Sequence, residues 1–272
     1  MKRIYLIAIV TIFALTAMSF TGGKGVTLRL RPYKGSGYTI KSKTTQTNSM
    51  KFQGQSMSST QTFETKQLLT PKEISDTKNV FETQIDAMKI TISQMGMSFT
   101  YDSENPQNTS PMIADQAGEF EKIIKKPVTV TYDNLGHLEE TTDIEMSQVS
   151  NVIIELPEDE VSVGSEWTYT KTQEISDIEM TVTMKVTVTG INKKGVDVSF
   201  NGTVDAKDIT GTYEGTSTIS QKTGMVVSSN IKNKISMTIT EQGMKIPLTV
   251  SGTTTISVEE EAIAAYFDED QQ

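Results

Sequence analysis

The longest regular pattern in the chain is an alternation of apolar and polar residues between positions 178 and 188. Isoleucine, methionine and valine occupy the even positions, and glutamate, threonine and lysine occupy the odd positions between them. A period of two places successive side chains on opposite faces of a strand, so this segment is predicted to be an antiparallel strand with one dry face. Shorter runs with the same period lie at residues 196–200 and 235–239.

The alternation changes phase once, between Phe81 and Ile90. Phe81 and Ile85 stand at odd positions, whereas Met88 and Ile90 stand at even positions. One extra residue in a strand shifts the phase in this way, so a β-bulge is predicted near Ala87.

Short polar segments that contain glycine separate the predicted strands. They lie at residues 133–136, 192–195 and 222–224, and each has the composition of a hairpin turn. The predicted fold class is therefore mainly β with minor α. We expect an antiparallel curved sheet or half-barrel built from two related units, with one or two helices packed on it.

Two segments break the β pattern and are predicted to be helices. The first spans residues 112–125, because Ser110 can cap it, Pro111 suits its first position and Pro127 ends it. The second runs from residue 143 to about 155, although its valine and isoleucine residues would equally suit the start of a strand. The apolar stripe of the first helix consists of Ile113, Ala117, Phe120 and Ile124.

The first nineteen residues have the three parts of an export signal. Lys2 and Arg3 are followed by an uncharged apolar run at residues 4–15, and residues 17–19 supply the small-x-small pattern of a cleavage site. We therefore expect an exported protein, periplasmic or extracellular, whose mature chain begins near Phe20. The apolar run is shorter than a bilayer span, so no transmembrane span is expected in the mature chain.

Two pairs of short segments suggest an internal duplication. The five residues that begin at Gly35 read GSGYT and those that begin at Gly164 read GSEWT, so Tyr38 and Trp167 are predicted to be equivalent. A second pair consists of the glycine turns near residues 134 and 222. The predicted organisation is a signal peptide (1–19) and one β-rich domain (20–272) with related halves (about 26–142 and 160–258) and an acidic tail (259–272).

Composition excludes several classes of function. The formal net charge of −9 opposes binding to nucleic acids, and the absence of cysteine removes thiolate nucleophiles and thiolate metal sites. His137, the single histidine, stands beside a turn glycine, where a solvated residue is expected rather than a catalyst. An oxygen-liganded calcium site among Asp102, Glu104 and Asn105 lacks the usual loop motif. No catalytic, cofactor or metal residue is therefore predicted, and no enzyme.

Several turn and strand motifs resemble those of an uncharacterised family of exported bacterial β-rich proteins. The likeness rests on the D-x-x-G hairpin at residues 133–136, then Leu156-Pro157, then V-x-V-G-x-x-W at residues 161–167. This resemblance carries no established activity, so it implies no functional residue. By architecture alone, the chain also resembles the lipoprotein-carrier type of open half-barrel with helices over its concave face.

Methionine is the one unusual enrichment, with 14 residues. Methionine fills irregular gaps in a core, and its flexible thioether also suits a surface that accepts varied apolar ligands. The leading hypothesis is a binding or carrier module for an apolar small molecule, a lipid or an envelope component. The alternative is a structural or protein-interaction component of the cell envelope. The predicted apolar ligand surface consists of Met88, Ile90, Phe120, Trp167, Met180, Met184 and Met237.

Overall fold

The structure is a computed structural model that describes residues 25–52, 55–142, 152–175, 178–206, 208–241 and 244–262, and these form twelve strands and one α-helix. The first six strands are β1 (Ser36–Phe52), β2 (Gln55–Ile74), β3 (Asn79–Gln94), β4 (Met97–Asp102), β5 (Val128–Tyr132) and β6 (Leu138–Thr141). The other six are β7 (Glu166–Ile175), β8 (Ile178–Asn192), β9 (Gly195–Ala206), β10 (Ile209–Ile219), β11 (Val226–Glu241) and β12 (Met244–Ala262). The helix α1 (Ala114–Ile123) follows two 3₁₀ turns, Pro106–Asn108 and Pro111–Ile113.

All twelve strands belong to one open, curved antiparallel sheet, which confirms the predicted fold class. The order across the sheet is β6-β5-β3-β2-β1-β12-β11-β10-β9-β8-β7, and β4 pairs with β3. The central pair, β1 with β12, joins the two halves of the chain. Strands β6 and β7 are therefore the two edges of the sheet. Among the described residues, no helix has the length and apolar character that a membrane crossing requires.

One face of this sheet, here called the inner face, carries the core. It is the face to which Ile40, Ile256 and Val186 point, as the register of neighbouring strands requires. The alternation predicted for residues 178–188 is present, because Val186 and Val188 are buried whereas Lys185 is exposed. A one-residue slip would turn all these side chains to solvent, so the register is strongly fixed. Side chains with less than 2% exposure include Leu28, Leu30, Leu69, Phe81, Ile85 and Ile219.

A bulge in β3 is present where the phase of the pattern changes. Lys66 lies opposite Ala87 and the next residue, Gln67, lies opposite Ile85, so Asp86 is the extra residue. The prediction of a bulge is confirmed. Because of it, both Ile85 and Met88 reach the inner face although their sequence positions differ in parity.

The first predicted helix is present but shorter at its start than expected. Residues Pro111–Ile113 form a 3₁₀ turn, and the α-helix begins only at Ala114. Ser110 does not cap the α-helix, because its hydroxyl accepts a hydrogen bond from the N–H of Thr100 at 2.9 Å and so ties the turn to β4. The apolar stripe packs as predicted: the Phe120 ring lies 5.2 Å from that of Tyr101, beside buried Ile113.

The second predicted helix is absent from the part of its range that the structure describes, so the prediction is wrong there. Positions 143–151 lie outside the described residues, whereas residues 152–157 are described and contain no helix. Their backbone groups bond to other parts of the chain instead of to each other. The N–H of Leu156 donates to the carbonyl of Leu135 at 2.8 Å, and the carbonyl of Val152 accepts from Val226 at 2.9 Å.

The two halves share several backbone features. Strands β1-β2-β3-β5-β6 are neighbours in that order, as are β7-β8-β9-β10-β11. Gly35 and Gly164, which precede the first strand of each series, both have φ near +85°, at +84° and +89°. The turn glycines Gly136 and Gly224 also have positive φ. These features agree with the duplication, which stays a prediction.

The packing of α1 leads to a first testable expectation. Replacing Phe120 by alanine should destabilise the protein by about 3 kcal/mol, because the change removes a large side chain from a packed cluster. Thermal or urea unfolding measures the effect. The control is Met112→Ala in the preceding turn, whose side chain is 74% exposed and whose loss should cost less than about 0.5 kcal/mol. Equal effects of the two changes would contradict the packing of α1.

Candidate functional site

An extended segment crosses the gap between the two edges of the sheet. This segment, residues 152–156, is here called the strap. Its end at Leu156 bonds to the turn before β6, and its start at Val152 bonds to the first residue of β11. The carbonyl of Glu155 accepts a hydrogen bond from the indole Nε1 of Trp167 on β7 at 3.0 Å. The strap is therefore fixed to both edges, because it contacts the β5–β6 side and β7.

The turn that holds the strap is organised by Asp133. Its Oδ1 accepts hydrogen bonds from the backbone N–H groups of Leu135 at 2.8 Å and His137 at 2.9 Å. Gly136 in the same turn has φ +85°, and a Cβ there would collide with the carbonyl oxygen of Ile154 in the strap. Glycine is required at this position both for the backbone conformation and for the close approach.

A cavity of about 420 Å³ lies between the strap and the inner face of the C-terminal half. Ile153 and Ile154 of the strap form part of its wall. The strands contribute an apolar surface, and among the described residues that line the cavity only Glu155 and Lys171 are charged. The apolar strand residues in the wall are Leu138, Val182, Met184, Val186, Val198, Phe200, Val226 and Ile231.

Two glycines in the strands shape this wall. A Cβ at Gly202 would collide with the sulfur of Met184, and one at Gly215 would lie 2.5 Å from the ring of Phe200. Glycine inside a strand marks a place where another group approaches the backbone closely. Met184 and Phe200 therefore pack over the glycines of neighbouring strands.

Three tyrosine hydroxyls belong to the cavity and make no hydrogen bond with any described residue. They are those of Tyr132, Tyr169 and Tyr213, from β5, β7 and β10. Burial raises the pKa of Tyr132 and of Tyr169 to about 12, and the negative charge of Glu155 adds to the effect at Tyr169. Burial also raises the pKa of Tyr213. All three hydroxyls therefore keep their protons near neutral pH and are available as donors.

A short chain of ionisable groups connects the β5–β6 turn to the strap. His137 Nδ1 lies 2.6 Å from Asp133 Oδ2, and its Nε2 lies 3.7 Å from Glu155 Oε2. The hydrogen bond with Asp133 raises the pKa of His137. Burial alone would raise the pKa of Asp133, but the hydrogen bonds from His137 and Leu135 hold it below its usual range. Burial raises the pKa of Glu155. Protonated His137 would hold the strap against the turn through both carboxylates.

The predicted apolar surface is divided between separate places. Met184 lines the cavity, and Trp167 lies beside the strap, to which its indole N–H donates. Met88 and Ile90 lie beneath α1 and pack in one cluster with Phe120 of the helix, and none of the three lines the cavity. The remaining two, Met180 on β8 and Met237 on β11, lie on the inner face but outside the cavity wall.

Sequence reasoning missed the polar residues of the cavity, above all Tyr169, Lys171 and Glu155. A signal was present for two of them. Trp167, Tyr169 and Lys171 stand at alternate positions of β7, so the parity that places tryptophan on the inner face also places the lysine there. The position of Glu155 depends on the path of the strap, which has no periodic pattern.

A second, larger depression of about 740 Å³ lies over β12, β1, β2 and β3, and its lining is mostly polar or charged. Its lysines are already paired with acidic side chains, for example Lys43 with Glu64 at 2.7 Å and Lys41 with Glu259 at 2.8 Å. Surface ion pairs of this kind contribute little energy and occupy the charges that a ligand would need. The depression is therefore a weaker candidate site than the cavity.

The residues considered for a calcium site from the sequence stabilise a turn in the structure. Asp102 Oδ1 accepts hydrogen bonds from the backbone N–H groups of Glu104 and Asn105, both at 3.1 Å, and its Oδ2 faces Lys89. The carboxylate thus fixes the turn after β4. Among the described residues, no group of three or more potential metal-binding histidine or acidic side chains is present.

Comparison with known proteins identifies a likeness of fold. No protein-family model matches the sequence, and neither does any curated protein. The structure is similar to one that concerns lipid–protein interactions in lipovitellin, with a TM-score of 0.54 and 9% identity. The match covers 86% of this chain and 26% of the lipovitellin chain, so this chain spans about a quarter of that protein's length.

Two bacterial structures show weaker likenesses. A DUF1329 family protein from Desulfovibrio piger has a TM-score of 0.19 and 9% identity, with coverage of 86% of this chain and 88% of that one. A domain described as an outer membrane lipoprotein-sorting protein, from Vibrio parahaemolyticus, has a TM-score of 0.15 and 9% identity, with coverage of 85% and 88%. Likenesses at this level carry no structural inference.

The contact between Gly136 and the strap can be tested by a pair of substitutions. Gly136→Ala should displace the strap and accelerate proteolysis or hydrogen exchange at residues 152–156, because its Cβ meets the carbonyl oxygen of Ile154. Gly164→Ala is the control, since it has nearly the same φ, +89°, but open space around the Cβ. The control isolates backbone strain, which both variants share. If both changed the strap equally, the contact would not be what holds it.

The single histidine permits a clean test of pH dependence. A group whose pKa is raised on folding contributes stability below its unfolded pKa and loses it as pH rises through the folded pKa. The protein should therefore lose some stability between about pH 6 and pH 8, where histidine is the side chain that ordinarily titrates. His137→Gln should flatten the curve in this range. An unchanged slope in the variant would contradict the pairing of His137 with Asp133.

Proposed function

We propose that this protein is a non-enzymatic binding or carrier module that takes up an apolar ligand in the cavity beneath the strap. The observation that carries the proposal is a cavity of about 420 Å³ with an apolar wall and a cover formed by a single extended segment. This volume lies within the range of roughly 300–1,000 Å³ that is typical of small-molecule sites.

The contrast between the two halves supports binding rather than a purely structural role. In the N-terminal half, α1 covers the inner face, and Ile90, Tyr101 and Ile113 are buried beneath it. In the C-terminal half, space is left between the strap and the strand side chains of the inner face. A scaffold has no physical reason to leave apolar surface unfilled, because a cavity costs stability.

The proposal assigns no catalytic residue. Both ring nitrogens of His137 face carboxylates, so the histidine already has a role in holding the turn and the strap. Lipovitellin, whose fold this sheet resembles, interacts with lipid. At 9% identity that likeness concerns the fold, and it agrees with an apolar ligand without identifying one.

The proposed setting is outside the cytoplasm. The export signal at residues 1–19 would be removed, and the mature chain from about Phe20 would act in the periplasm or outside the cell. In that setting, a lipid or another water-insoluble molecule needs a protein to cover its apolar surface. The proposed partners are therefore an apolar small molecule, a lipid or an envelope protein that delivers one.

The proposal is tested by filling the cavity. Val182→Trp should abolish or strongly weaken uptake of the neutral apolar dye N-phenyl-1-naphthylamine, because Val182 lies in the cavity wall. The control is Thr183→Trp, the adjacent residue of β8, whose side chain points to the opposite face. Fluorescence titration measures binding, and circular dichroism verifies that both variants fold.

Two results would count against the proposal. If the unmodified protein took up no dye, the cavity would not bind apolar molecules, and a structural role in the envelope would be favoured. If both tryptophan variants bound the dye as well as the unmodified protein, uptake would occur somewhere other than beneath the strap.

A further inference from the structure

We propose that the ligand is an anionic amphiphile with a single alkyl chain, whose charged head lies at the rim of the cavity between Lys171 and the hydroxyl of Tyr169. This inference rests on the proposed function, since it assigns a ligand class to the same cavity. Its basis is the position of one lysine and the set of hydrogen-bond donors around it.

Lys171 differs from the other lysines of the described strands in the face of the sheet on which it stands. It lies on the inner face of β7, opposite Val182, and is among the residues that line the cavity. The other lysines of the described strands stand at outer-face positions. Most of these are paired with an acidic side chain on a neighbouring strand, for example Lys66 with Asp86 and Lys185 with Glu166, both at 2.8 Å.

The ammonium of Lys171 has no such partner. In the described part of the chain, no carboxylate lies within 4 Å of it, although Glu155 is close enough for the lysine charge to lower the pKa of its carboxyl group. The side chain of Lys171 is exposed although its backbone position faces inward, so its ammonium is accessible to a ligand. An anion bound from solution would supply the missing partner, and the exposed position of Lys171 lets that anion reach it.

The neighbouring polar groups also favour a ligand that accepts hydrogen bonds. Tyr169 stands two residues before Lys171 on the same face, and its hydroxyl has no protein acceptor among the described residues. Tyr132 and Tyr213 add two further donors on the cavity wall. The acidic group nearby, Glu155, faces His137, with its Oε2 at 3.7 Å from His137 Nε2. Each of these tyrosine hydroxyls can donate a hydrogen bond to an anionic head, as the ammonium of Lys171 can.

The size of the cavity limits the apolar part of the ligand. About 420 Å³ is near the lower end of the usual range for ligand sites, which suits one alkyl chain rather than the several chains of a membrane lipid. Apolar side chains of β8 and β9, such as Met184 and Phe200, would contact that chain. The head could be a carboxylate or a phosphate, since both accept hydrogen bonds from ammonium and phenol donors.

The experiment compares ligands that differ only in the head group. Oleate, oleyl phosphate and oleyl alcohol are titrated separately, below their aggregation concentrations, by displacement of N-phenyl-1-naphthylamine. The anions should bind about tenfold more tightly than the alcohol, which corresponds to one charge-assisted hydrogen bond. An equal gain for both anions supports a general anion site, and a gain confined to one anion supports the proposal and identifies the head group.

Variants then locate the anion. Lys171→Met should remove the advantage of the anions while the affinity for oleyl alcohol stays within about twofold, because the methionine keeps the apolar stem. Tyr169→Phe should reduce the advantage by a smaller factor. Lys185→Met is the control, since it removes an outer-face lysine of the same strand pair and should leave all three affinities unchanged. Retained binding of the alcohol demonstrates that each variant is folded.

The outcomes separate this inference from the proposed function. If the alcohol and the anions bind equally, and Lys171→Met changes neither, then the inference is overturned while an apolar site remains. If none of the three ligands displaces the dye because the dye itself does not bind, the proposed function fails. If Lys185→Met reduces anion affinity as much as Lys171→Met, the effect is one of overall charge, which also overturns the inference.

Discussion

The contact between the strap and the β5–β6 turn is the constraint on which the inner face of the C-terminal half depends. A single curved sheet cannot remove one of its faces from water without a second layer, and here the second layer is mostly a thin segment of extended chain. That segment stays in place because Gly136 lets the carbonyl of Ile154 approach and because Leu156 bonds to the turn. Without this contact, the apolar wall of the cavity would face solvent.

The charged side chains of the strands lie mostly on the outer face of the sheet, opposite the inner face that carries the core. The outer face carries lysines and acidic residues in cross-strand pairs, such as Lys41 with Glu259 at 2.8 Å. Such pairs add little stability, but they keep an acidic protein of net charge −9 from presenting a strong local field. The inner face has few charges, so each one there has a larger effect on what the cavity admits. Lys171 and Glu155 therefore matter more for the proposed ligand than the many charges outside.

The sequence predicts the sheet well because the information is local. The period of two determines which side chains face inward, and the phase change near Ala87 locates the bulge at Asp86. The helix is predicted from its apolar spacing, although Ser110 bonds to β4 instead of capping it. The strap is not predictable in this way, since its hydrogen bonds are all to distant residues and valine and isoleucine suit a helix or a strand equally. The cavity depends on the strap, so the predicted site captured Met184 but missed Glu155.

The strap and the segment around Arg29 each lie against a turn glycine. Gly136 lies against the carbonyl of Ile154, and Gly224, in the corresponding turn, lies against the carbonyl of Arg29. If the halves are related by duplication, as the sequence predicts, each turn glycine was kept because an extended segment passes over it. The two inner faces then differ mainly in what covers them, since β4 and α1 are additions to the first half alone. On this interpretation, the added helix turned one of two similar surfaces into a packed core, and the other surface stayed open enough to hold a ligand.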